Sequence, residues 1–65
     1  MINPDERTLL QLLDGRGPYT FEQLVDLSGL SPAQVVLAVD RLSRTGDVVL
    51  RKVGMEYHVL ESVPI

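Results

Sequence analysis

The segment Leu30 to Val48, LSPAQVVLAVDRLSRTGDV, constrains the fold most, because it carries a helix start, a buried stripe, a helix stop and the beginning of a hairpin in unbroken succession. Ser31 can accept from the first free amides, Pro32 suits the first helical position, and Gln34 completes a box in which cap and third residue bond each other reciprocally. Val35, Val39 and Leu42 recur at helical spacing with Ala38 beside them, which makes one apolar stripe. Gly46 supplies the left-handed residue that ends such a helix. The spacing predicts a helix over about 32–45.

Two further helices precede it. Asn3, Pro4 and Glu6 form another start signal, with Asp5 and Glu6 placed where the positive end of a helix dipole favours carboxylates. A first helix is expected over about 4–14, burying Leu9, Leu10, Leu12 and Leu13 unequally and ending at Gly15. The loop Gly15-Arg16-Gly17-Pro18 cannot continue a helix, and Tyr19 can extend briefly as a short first strand. Thr20 and Gln23 make a third start signal, with Tyr19 able to pack on Leu24. A second helix over about 21–28 follows, with Phe21, Leu24, Val25 and Leu27 directed inward. Gly29 turns the chain and Leu30 anchors the turn, the spacing of a helix-turn-helix.

Past Gly46, two β-branched runs, about 47–53 and 56–61, flank Gly54-Met55, a two-residue loop suited to a type II′ hairpin. In that register Lys52 faces Tyr57, Leu50 faces Val59 and Val48 faces Glu61. Val48, Leu50, Tyr57 and Val59 are expected on the core side, with Val49, Arg51, His58 and Leu60 on the other. The tail Ser62 to Ile65 is apolar enough to pack on the body or a partner, although fraying is the ordinary state of a terminus.

Sixty-five residues, 45% of them hydrophobic, make a single domain over 1–65, and a chain this short leaves about 40% of its unfolded-state surface exposed. The chain has no cysteine, so neither a disulfide nor a thiolate metal site supplements the core. The opening MINPDER lacks the basic stretch and apolar run of a secretory signal, and the longest apolar run is Val35 to Val39, so a cytoplasmic protein with no membrane association is expected. The net charge is −3, and it is unevenly spread. Residues 1–30 hold Arg7 and Arg16 against five acids, whereas residues 31–65 hold Arg41, Arg44, Arg51 and Lys52 against Asp40, Asp47, Glu56 and Glu61. The second half is neutral, not basic.

No catalytic chemistry is expected. His58 is the only histidine, so a histidine-rich metal cluster or a Cys-His pair cannot form within one chain. There is no G-x-S-x-G elbow, and the loop GRGP has neither the G-K-[ST] ending nor the glycine spacing of a phosphate or dinucleotide site. No cofactor and no small-molecule substrate are implied.

The order helix, helix, helix, hairpin over about residues 4–61 resembles the winged helix-turn-helix superfamily. Ser31, Val39-Asp40-Arg41-Leu42 and Gly46 are similar to the recognition-helix segment of MarR-type bacterial regulators. The long dimerisation helices of those regulators have no counterpart in these residues, so their ligand pocket and dimer mode are not carried over. The resemblance implies an α+β fold: a three-helix bundle followed by a two-stranded antiparallel wing. It also implies a transcription-regulator type of function, with the third helix in the major groove of double-stranded DNA and the wing on the backbone. By position, Pro32, Ala33, Gln34, Val36, Leu37 and Arg41 meet the groove, and Arg51 and Lys52 meet phosphate.

Base edges are read by hydrogen-bonding groups, which leaves Gln34 and Arg41 as readers, with Arg44, Arg51 and Lys52 as phosphate contacts. Four cations on phosphate give a salt slope of about −3.6, a loss of roughly a hundredfold in affinity between 50 and 200 mM salt, so useful affinity requires a homodimer, a tandem arrangement or tethering. The alternative is a protein-interaction module. Leu37 lies about 200° around the helix from Val35 and so falls outside the core. Val36 either leans on the hairpin or joins Leu37 in a partner-binding patch, extended by Val49 and Leu60.

Overall fold

The computed structural model describes residues 3–62. The chain forms α1 (Pro4–Leu13), β1 (Tyr19–Thr20), α2 (Phe21–Ser28), α3 (Pro32–Arg44), β2 (Val48–Val53) and β3 (Glu56–Glu61). It is an α+β fold of three helices and a three-stranded antiparallel sheet in the order β1-β3-β2. No helix among the described residues is long and apolar enough to cross a membrane.

Each helix begins where a side chain satisfies a free amide. Asn3 accepts from the Glu6 amide at 2.9 Å. Thr20 with Gln23, and Ser31 with Gln34, each bond in both directions. The third helix ends in a two-bond lock: the Gly46 amide donates to Ser43 O at 3.3 Å and the Asp47 amide to Leu42 O at 2.9 Å. This pairing requires a left-handed residue between cap and exit, and Gly46 has φ +84°. Helical geometry stops one residue short of expectation at two places, with Asp14 already extended and Thr45 serving as the cap of α3.

The core joins all three helices to the sheet: Leu9 and Leu13 of α1, Leu24 of α2, Val35, Ala38, Val39 and Leu42 of α3, Val48 of β2 and Val59 of β3. Leu10, Leu12, Tyr19, Phe21, Val25 and Leu30 pack around it, half-buried. Leu27, expected inward, is instead 54% exposed. It lies about 300° around α2 from Leu24, at the edge of the stripe, and the described residues leave that edge open.

The hairpin adopts the anticipated register, with Val48 opposite Glu61, Leu50 opposite Val59 and Lys52 opposite Tyr57. Positive φ at Gly54 alone in the turn fits its type. The expected core side, however, is buried only in part. Val48 and Val59 are buried, but Leu50 and Tyr57 are 40% and 49% exposed. The cause is strand order: β3 is central and β2 is an edge, and β1 is short, pairing only Tyr19 with Val59 and Thr20 with His58. Tyr57 therefore lies past the end of β1, and Leu50 lies on an edge strand with β3 on one side only. At the tail, the Ser62 amide donates to Asp47 O at 2.9 Å, which ties this residue to the foot of β2. The rest of the expected fraying, at 63–65, lies outside the described residues.

Candidate functional site

The residues expected to read bases are occupied within the molecule. Gln34 Oε1 accepts from the Ser31 amide at 2.9 Å, while its Nε2 donates to Asp5 Oδ2 at 3.4 Å. Both ends of the amide are thus engaged, one by the cap of its own helix and the other by the first turn of α1. Arg41, one side of whose guanidinium meets Glu6 Oε1 at 3.8 Å, turns to the same turn of α1. Arg44 pairs with Asp40 at 3.3 Å, one helical turn back.

Asp5 and Glu6, which by sequence belong to the start signal and dipole of α1, are the acids that hold Gln34 and Arg41. Glu6 is 8% exposed, the one buried charged residue among those described. A signal for this was present. Glu6, Leu9 and Leu13 stand at i, i+3 and i+7, so the carboxylate heads the buried stripe of α1 and must meet whatever packs on it. What packs there is α3, and Arg41 supplies the countercharge.

Gln34 and Arg41 do come together: with Asn3, Asp5, Leu37 and Ala38 they line a shallow recess between α1 and α3. The recess holds an acid beside the would-be readers, a poor setting for phosphate or base edges. The hairpin cations do not join them in one basic face. Arg51 and Lys52 are adjacent on β2, so their side chains leave opposite sides of the sheet, Arg51 with Val49 and Val53, Lys52 with Leu50. Among the described residues neither has an acidic partner within ion-pair distance. His58 sits opposite Arg51 and places Nε2 3.7 Å from Glu56 Oε2.

Val36 and Leu37, 53% and 59% exposed, are separated by about 100° around α3 and reach two different surfaces. Leu37 lines the recess against α1. Val36 lines a groove against α2 with Phe21, Glu22, Val25, Asp26 and Pro32. The single apolar patch expected from sequence is therefore two sites on either side of one helix. Val49 and Leu60 are cross-strand partners on the hairpin, and Leu60 is half-buried.

Comparison with protein-family models, with curated proteins and with solved structures finds no match to this chain.

Proposed function

We propose that this is a winged-helix domain that works as a protein-interaction module, with α3 as its presenting element and no catalytic role. The winged-helix reading is supported by the helix-turn-helix of α2 and α3 joined through Gly29 and Leu30, followed by the β2–β3 hairpin and closed by the short β1. The protein-binding reading rests on one observation. On α3 the polar and cationic groups suited to DNA are already paired with Asp5, Glu6 and Asp40, while Val36 and Leu37 are left more than half exposed. Desolvating an aliphatic side chain favours association with another apolar surface, whereas stripping Arg41 from Glu6 to reach a phosphate leaves a buried carboxylate uncompensated.

A second reading, DNA binding, is favoured by Arg51 and Lys52, two exposed cations on the hairpin with no acidic partner among the described residues. Titration of a labelled mixed-sequence duplex at low and moderate salt separates the two. The module reading expects no saturable binding. Binding that weakens with salt and with Lys52→Ala or Arg51→Ala establishes the second reading instead.

A further inference from the structure

The groove between α2 and α3 differs from the α1–α3 recess in its charge. It is lined by the apolar Phe21, Val25, Pro32 and Val36 together with the exposed acids Glu22 and Asp26, and no lysine or arginine among the described residues lines it. Phe21 and Glu22 also border the next recess, beside Glu56 and Tyr57 of the hairpin, so the apolar strip continues onto the sheet with a third carboxylate at its margin. In the α1–α3 recess Asp5 accepts from Gln34 and Arg41 meets Glu6, whereas Glu22 and Asp26 have no cationic partner within ion-pair distance among the described residues.

Glu22 stands in the first turn of α2, where the helix dipole favours a carboxylate, but Asp26 has no such role in the fold. Glu22 and Asp26 are one helical turn apart on α2, and like charges at that spacing repel each other. Asp26 also lies near the C-terminal end of α2, where the helix dipole disfavours a carboxylate, and the last turn holds no basic residue. A ligand bearing positive charge relieves both costs at once, and it can use the half-exposed Val36 and the half-buried Phe21 and Val25 as anchors. Phosphate-bearing ligands and anionic lipid surfaces are repelled by the same acids.

We propose, resting on the protein-interaction reading above, that this groove docks an amphipathic segment of a partner protein whose apolar side chains seat on Phe21, Val25 and Val36 and whose flanking lysines or arginines meet Glu22 and Asp26. The probe is a pair of synthetic helical peptides with leucines at i, i+3 and i+7, one with lysine and one with glutamate at the flanking positions, titrated into the whole chain and followed by backbone and methyl NMR. The lysine peptide shifts the signals of Phe21, Val25 and Val36 and the glutamate peptide does not. Reversing these charges with Glu22→Lys and Asp26→Lys weakens the lysine peptide by at least about tenfold and admits the glutamate peptide. Glu22→Gln with Asp26→Asn gives an intermediate loss and serves if the reversed variant does not fold.

Shifts centred on Leu37 and Arg41 overturn the groove while leaving the module reading standing. Equal binding of the two peptides, or binding of neither, also overturns the groove. Self-association of the chain that the charge reversal disperses assigns the groove to a second copy instead. Duplex binding without any peptide binding overturns the module reading itself.

Discussion

Arg41 and Glu6 face one another across the α1–α3 interface, Nη1 to Oε1 at 3.8 Å, with the arginine side chain 62% exposed and the glutamate side chain 11%. The pair is asymmetric. Arg41 can find water when its partner is lost, but Glu6 cannot, so the two ends of the bond differ in what their removal costs.

Arg41→Ala is therefore expected to lower stability by about 1 kcal/mol, between the values typical of exposed and of buried pairs. Arg44→Ala, whose partner Asp40 is about half exposed, is expected to cost less than about 0.5 kcal/mol. Urea denaturation of the two variants measures the difference. Equal losses would mean that Glu6 is solvated and does not depend on α3.

Gln34 is a cap residue in this account, not a reader. Gln34→Ala removes the return bond to Ser31 and the bond to Asp5, and is expected to cost about 0.5–1 kcal/mol of stability. Thermal unfolding should show this as a fall of roughly 4 °C in Tm for a domain of this size. A variant as stable as the parent would show that the amide is free to do something else.

Leu27, at the edge of the α2 stripe, is 54% exposed, whereas Leu42, within the α3 stripe, is 1% exposed. Leu42→Ala is expected to cost about 2–5 kcal/mol, a large part of the roughly 3–10 kcal/mol available to a chain of this length. Leu27→Ala should cost under about 1 kcal/mol. Comparable losses at the two positions, measured by denaturation, would place Leu27 in the core.

Much of this fold was legible in the sequence because it is written in short-range rules. The caps at Asn3, Thr20 and Ser31 act over three residues, the α3 stop at Gly46 over five, and the hairpin register follows from the two residues of Gly54-Met55 and the period of two in the strands. The errors fall where neighbours distant in sequence decide the outcome. Leu50 and Tyr57 alternate correctly but lie beyond what β1 and the helices cover. The bond from Gln34 to Asp5 spans 29 residues, and no local rule announces it. Val36 and Leu37 looked like one patch because they are adjacent in the chain; only the placement of α1 on one flank of α3 and α2 on the other divides them. The charge at Glu6 was legible as a helix-start residue, while its position at the head of the buried stripe carried the more informative signal.

The most direct test of whether α3 reads DNA is to follow the side-chain nitrogen signals of Gln34, Arg41, Arg44, Arg51 and Lys52 by NMR while a mixed-sequence duplex is added at low salt. With Gln34, Arg41 and Arg44 held by Asp5, Glu6 and Asp40, their signals are expected to stay in place and any shift to be confined to Arg51 and Lys52 on the hairpin. Saturable, salt-sensitive displacement of the Gln34 and Arg41 signals would contradict this expectation, since these groups would then have left Asp5 and Glu6 for the duplex.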